Sequence, residues 1–142
     1  MAVIKARESD IRLLAQLMRA EAEGEGHHGM LMVGDVGVNR VYSNCLDFQG
    51  IRTIPDMVYQ SPGGFESVHF SYFYQRPRDV DVRLARRAVN GERHDPARNA
   101  LWFFRPDGDC PPTWYNQPNT GRYKQHCFFA PDPSACPRVY NF

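Results

Sequence analysis

No stretch of this sequence approaches the roughly 18 apolar residues that span a bilayer, and the opening MAVIKARE lacks the apolar core of a secretory signal. The chain is therefore expected to be made soluble and not exported by that route. An excess of one charge is missing as well: 17 Lys and Arg face 16 Asp and Glu, for a net charge of +1. That balance weighs against nucleic acid and anionic membrane surfaces, which are held through broad positive fields. The four cysteines, Cys45, Cys110, Cys127 and Cys136, form no C-x-x-C pair, so neither a zinc ribbon nor a thioredoxin-type redox centre is indicated. Absent too are the H-E-x-x-H zinc motif, the G-x-S-x-G elbow, the EF-hand loop and a phosphate-binding glycine loop. No repeat, low-complexity tract or linker divides the chain, and 142 residues suit a single catalytic-size domain over 1–142.

Aromatic residues are plentiful instead, with 9 Phe, 7 Tyr and 2 Trp, while 11 Pro and 11 Gly point to long ordered loops. Flat rings carried on such loops suit a ligand with flat faces, sugars among them. The 42% of hydrophobic residues is enough for a core, since a chain of this size hides about two-thirds of its extended surface on folding.

Ser9 or Asp10 is placed to cap a first helix in which Ile11, Leu14, Leu17, Met18 and Ala22 recur at three- and four-residue steps, and Gly24 is its natural stop. A second helical pattern from about Gly29 to Tyr42 is apolar enough to be central, and its Gly34 and Gly37 let another backbone come close. Thr53 and Pro55 open a short helix to about Gln60, and Asp79 caps a further one that Gly91 ends. Beyond it, Leu101–Phe104 and Cys127–Phe129 read as short strands and 105–112 as a loop. The expected fold class is α+β, mainly helical, with a small β element.

One residue departs from the helical pattern. Glu21 stands on the apolar side of the first helix, four residues after Leu17 and three after Met18, in the last turn. Partial burial and the negative end of the helix dipole both disfavour a carboxylate there, which suits a general acid that must still hold its proton near neutral pH. Glu23, four residues after Arg19, reads as a solvated ion pair, and Glu25 as lying beyond the helix.

The run from Leu14 to Val41, LAQLMRAEAEGEGHHGMLMVGDVGVNRV, resembles the signature of the SleB/CwlJ-type cell wall hydrolases, in which one helix ends in Glu-Ala-x-Gly-Glu and the next in Asn-Arg-Val. Val58-Tyr59-Gln60, Phe65-Glu66-Ser67-Val68, Ala100-Leu101-Trp102-Phe103 and His126-Cys127-Phe128 continue the resemblance in order along nearly the whole chain. The length, the Glu-Ala-Glu-Gly-Glu form and Trp114-Tyr115-Asn116-Gln117-Pro118 look most like the CwlJ branch, the spore cortex-lytic enzymes. The resemblance implies a lysozyme/lytic-transglycosylase-like domain that cleaves the glycan strands of spore cortex peptidoglycan during germination. It assigns the role of general acid/base to Glu21, the first glutamate of the motif. It also implies a place in the spore coat on the outer side of the cortex, and a docking protein there of the GerQ kind. No cofactor is evident; a dependence on calcium or calcium dipicolinate is implied by resemblance alone, since Asp107-Gly108-Asp109 falls far short of the 6 to 8 oxygens that calcium takes.

Phe65, Trp102, Tyr115, Asn116 and His126 are the candidate sugar-binding residues, although Phe65 and Trp102 serve equally as core and His126 as a satisfied core histidine. Glu66, Asp107 and Asp109 are candidates for the second carboxylate that ordinary glycosidases place about 5 to 9.5 Å from the first. His27-His28 reads as a solvated turn. The competing reading is a non-catalytic glycan-binding coat protein in which Glu21 is structural. A metal module built from Cys110, His126, Cys127 and Cys136 is disfavoured, because adjacent strand residues point to opposite faces. Without an export signal the cysteines are expected as buried free thiols; if the coat oxidises them, a bridge within Cys110, Cys127 and Cys136 is the expected one.

Overall fold

The chain's apolar residues concentrate in its second helix, and the rest of the molecule is arranged around it. In the computed structural model, whose described residues are 2–62 and 64–141, α1 spans Glu8–Ala22 and α2 spans Gly26–Ser43, joined by one 3-10 turn at Glu23–Glu25. Every residue of α2 from Gly29 to Val41 is buried, as befits a helix covered on all sides. Against it lie Leu14, Leu17 and Met18 of α1, the short α3 (Ile54–Val58), and Leu84, Ala85 and Ala88 of α4 (Asp79–Val89). Gly34 is required by this packing. A Cβ there would stand 2.9 Å from Met18 Sδ and 3.0 Å from Ala88 Cβ, so α1 and α4 both approach α2 at a position with no side chain.

Two helix starts differ from the sequence expectation. Arg7 and Arg78, each in extended conformation, are the N-caps of α1 and α4. Asp10 and Asp81 sit three residues further on, where each carboxylate accepts the backbone N–H of its cap residue, at 2.9 and 2.8 Å. The acidic residues thus stabilise both helix starts, but from the first turn inward. Thr53 does cap α3, accepting the Asp56 N–H at 3.1 Å.

The sheet has four antiparallel strands in the order β1-β4-β3-β2: β1 is Trp102–Phe104, β2 Thr113–Trp114, β3 Gln117–Tyr123 and β4 His126–Phe129. β4 is buried along its length, with Trp102 opposite Phe129 on one side and Tyr123 opposite His126 on the other. The sequence pattern did not anticipate β2 and β3. They alternate half-buried and exposed positions with polar residues; β3 exists as a strand because it pairs with the edge of β4, and β2 because it pairs in turn with β3. Tyr115 and Asn116, with φ of 50° and 65°, form the two-residue turn between them, a conformation that suits a tight hairpin.

Buried polar groups tie the helices to the sheet. The Asn39 amide donates to the carbonyls of Ala97, Arg98 and Ala100, at 3.3, 3.2 and 2.9 Å, and its Oδ1 accepts from Arg93 Nε at 3.0 Å. This fixes the segment that enters β1. Asp35, also fully buried, accepts the His94 N–H at 3.0 Å and faces Arg93 at 3.7 Å. The expectation of free thiols is overturned: Cys45–Cys136 and Cys110–Cys127 are disulfides, each with Cα atoms 5.7 Å apart. Cys110–Cys127 falls within the group singled out from the sequence. Cys45–Cys136 joins residues 91 apart, and only the docking of the C-terminal segment onto α2 brings them together.

Candidate active site

Glu21 is the penultimate residue of α1 and is half-buried where that helix gives way to the turn before α2. Two cavities meet at it. One, of about 770 Å³, is lined by Phe48, Phe65, Trp102, Phe103, Trp114 and Tyr115, with Asp47 and Glu66 at its edge. The other, of about 390 Å³, is polar and is lined by Arg19, Glu23, Glu25, Tyr72, Lys124 and Gln125. Ala20, Glu21, Arg105 and His126 belong to both, so the two form the arms of one groove with Glu21 at their junction.

The three glutamates of the turn have separate surroundings. Glu23 accepts from Arg19 Nε at 2.8 Å and from the Tyr72 hydroxyl, with Arg78 3.9 Å away. The Tyr72 and Arg19 hydrogen bonds hold its carboxyl below the usual carboxylate range. The pair with Arg19 expected from the spacing is present, and it belongs to a larger network that fastens the 3-10 turn at Ser71–Tyr74 to the end of α1. Glu25 is bonded to His126 Nδ1 and accepts the Gln125 N–H at 2.8 Å, while its carbonyl accepts from Lys124 Nζ at 3.0 Å. The β3–β4 hairpin is thus clamped onto the α1–α2 turn. His126 completes its contacts with the edge of the Phe103 ring, 5.2 Å between centroids.

Arg40, from the Asn-Arg-Val segment of α2, underlies the aromatic arm. Its guanidinium lies between the rings of Phe48 and Phe65, at 4.6 and 4.5 Å from their centroids, and its Nε donates to the Leu101 carbonyl at 2.7 Å. Burial pushes this guanidinium down to about 9, opposed mainly by the negative charge of Glu21. A buried cation thus stands within electrostatic reach of the candidate acid.

Of the residues singled out from sequence, Glu21, Phe65, Trp102, Tyr115 and His126 all line the aromatic arm. Phe65 and His126 are nevertheless largely buried, whereas Tyr115 is 81% exposed and free to meet a ligand. Asn116 is not brought into the groove walls; it is the exposed second residue of the β2–β3 turn. Glu66 lines the aromatic arm, while Asp107 and Asp109 lie in the loop after β1 and line neither arm. His27 and His28 are exposed, and the His28 ring sits 4.9 Å from that of His94. Among the described residues no group of three or more His, Cys, Asp or Glu is gathered as a metal site, and all three cysteines of the suggested metal module are in disulfides, Cys110 with Cys127 and Cys136 with Cys45. Glu25, Arg40, Tyr72 and Arg105 were not recognised as groove residues. Two carried a usable signal: Glu25 by its place four residues after Glu21, which Gly24 hid by suggesting that the helix had ended, and Arg40 by its place in the Asn-Arg-Val segment, where it was not singled out.

Known proteins resemble this chain in both sequence and fold. Residues 24–129 match the model of the family described as Cell Wall Hydrolase, a range that begins three residues after Glu21. The chain is 63% identical over 140 residues to the cell wall hydrolase CwlJ of Halalkalibacterium halodurans, covering 99% of this chain and 98% of the other. It is 30% identical to the spore cortex-lytic enzyme of Bacillus subtilis over 84% of this chain and 37% of that protein. Its fold is similar to the crystal structure of the catalytic domain of the Bacillus cereus SleB protein, with a TM-score of 0.69, 26% identity, and coverage of 91% of this chain and 97% of that one. With its α+β architecture, a groove centred on the Glu-Ala-Glu-Gly-Glu turn and a family match over most of its length, the chain belongs to the cell wall hydrolase family.

Proposed function

We propose that this protein cleaves the glycan strands of spore cortex peptidoglycan during germination, with Glu21 as general acid and then general base. The observation that carries the reading is the position of Glu21 at the junction of two arms, where a polymer lying along both would present an internal bond to its carboxyl. The similarity to a spore cortex-lytic enzyme supports the choice of substrate.

In this mechanism Glu21 delivers its proton to the glycosidic oxygen as the C–O bond breaks and positive charge develops at the sugar ring. The carboxylate left behind takes a proton from the incoming hydroxyl. Water gives hydrolysis; the sugar's own 6-hydroxyl gives an anhydro-muramic end. Trp102, Trp114 and Tyr115 offer ring faces to sugar C–H surfaces. Glu25 and His126, engaged with each other, position the wall beside Glu21. The protein acts from the coat side of the cortex, where a docking partner in the coat retains it.

Glu21→Gln tests the reading, because it keeps side-chain volume and helix propensity while removing the titratable proton. Fragment release from purified cortex should fall at least about a hundredfold, the ordinary scale of general acid catalysis. Circular dichroism and glycan binding should be retained. Near-normal release by the folded variant would overturn the assignment of the acid, and a mass analysis showing only peptide bonds cut would overturn glycan cleavage altogether.

A further inference from the structure

Arg105 lines both arms of the groove and has no partner among the described residues. Of the other cations on the walls, Arg19 pairs with Glu23, Lys124 donates to the Glu25 carbonyl, and Arg40 is buried between Phe48 and Phe65. Arg105, among the described residues, takes part in no hydrogen bond, ion pair or ring contact, although Glu21, Glu25 and Glu66 line the same arms.

Its mount, in contrast, is fixed on both sides. Arg105 follows β1 directly, and Pro106 restricts it to extended conformations. The loop beyond is bound to the sheet by Cys110–Cys127, next to His126, and by Arg122 Nη1, which donates to the Gly108 carbonyl at 2.7 Å. A rigid base therefore carries an exposed, unpaired guanidinium to the junction that Glu21 and His126 share.

Resting on the glycan-cleaving reading above, we infer that Arg105 is a substrate-binding residue that takes a carboxylate carried by a sugar at the junction. A guanidinium matches a carboxylate with two parallel N–H donors, whereas neutral hydroxyl and acetamido groups do not call for a cation. Peptidoglycan has two sources of such a carboxylate: the lactyl group of a muramic residue without a peptide, and the side chains and terminus of a peptide stem. Arg105 orients the strand relative to Glu21 and takes no part in proton transfer.

The test uses three preparations of glycan strand: stems retained, stems removed to free the lactyl carboxylates, and all carboxylates capped as neutral amides. The readout is the ratio of cleavage rates on charged and capped strands. The wild-type protein should prefer one charged strand by about fivefold, equivalent to the ~1 kcal/mol of an exposed ion pair. The preference should lie in KM and weaken with added salt, and Arg105→Gln should bring the ratio close to one while Arg105→Lys retains part of it. Which charged strand is preferred identifies the source. Binding of the same strands to Glu21→Gln, with and without Arg105→Gln, reads the preference without cleavage. An equal loss on charged and capped strands in Arg105→Gln, or a ratio unchanged by it, would overturn the inference. Absence of cleavage on every strand, with the charge preference still present in binding, would instead count against the glycan-cleaving reading and leave Arg105 as the anion-binding residue.

Discussion

Replacing Asn39 should expose how firmly the groove depends on one buried amide. Its two N–H groups are shared among the carbonyls of Ala97, Arg98 and Ala100, and its oxygen accepts from the Arg93 guanidinium. Asn39→Ala removes these bonds from a side chain without exposure to water, and leaves carbonyls, those of Ala97 and Ala100 on fully buried residues, that must be satisfied by other means. With about 1 kcal/mol for each neutral bond, somewhat more for the bond from a charged group, and a further penalty for stranded carbonyls, the loss comes to roughly 3–5 kcal/mol. That is a large share of the ~5–15 kcal/mol by which domains of this kind are stable. Asn39→Asp is the sharper comparison, because it turns the donor that faces three carbonyl oxygens into an acceptor while preserving shape and the Arg93 contact. At pH 7 it should be at least as damaging as Asn39→Ala. Urea unfolding followed by circular dichroism measures both, with an unchanged denaturant slope required for the comparison. A loss below about 1 kcal/mol for Asn39→Ala, or a milder effect of Asn39→Asp, would refute the reasoning that this amide is what ties the entry of β1 to α2.

Two further outcomes follow from buried groups. Replacing Cys110 and Cys127 together by Ser opens a loop of 17 residues and should cost about 3 kcal/mol, or a Tm lower by roughly 10 °C, whereas an equal Tm with and without reductant would show that neither bridge contributes. Burial pushes the Asp35 carboxyl up to about 8, with Arg93 and the His94 amide opposing it, so the folded protein holds a proton that the unfolded chain releases near 3.8. The stability linked to that proton is complete below about pH 3.8 and is lost as pH rises through about 8, so thermal unfolding between pH 4 and 9 should show a decline that Asp35→Asn flattens; an identical slope in the variant would contradict it.

The chemistry of the groove was unevenly legible in the sequence. Glu21 stood out because a carboxyl on the apolar side of a helix is costly unless something uses it. Phe65 and Trp102 were recognisable as rings but not as wall or core, since the same residue types serve both, and each turns out to do some of both: Phe65 is buried against Arg40 yet forms part of the groove surface. Glu25 was obscured because Gly24 looked like a terminus, when the chain makes only one 3-10 turn and starts α2 at Gly26. Arg105 left no signal at all; an arginine after a strand is ordinary until the loop beyond it is bound to the sheet.

By itself the sequence determined what depends on neighbours along the chain: the helical periods of α1, α2 and α4, the Thr53 cap, the aromatic strand cores and the α+β class. These follow from side-chain spacing and local hydrogen bonding, which a linear pattern records. The strand status of 113–123, the bridge between Cys45 and Cys136, the clamp of Glu25 on His126 and the meeting of two arms at Glu21 were decided by tertiary structure alone. Each joins residues far apart in sequence, such as Glu25 and His126, whose pairing requires the β3–β4 hairpin to dock on the α1–α2 turn. That docking is selected by the burial of α2 as a whole and by the hydrogen bonds of Asn39 and Arg40 to the segment entering β1, and no local pattern encodes it.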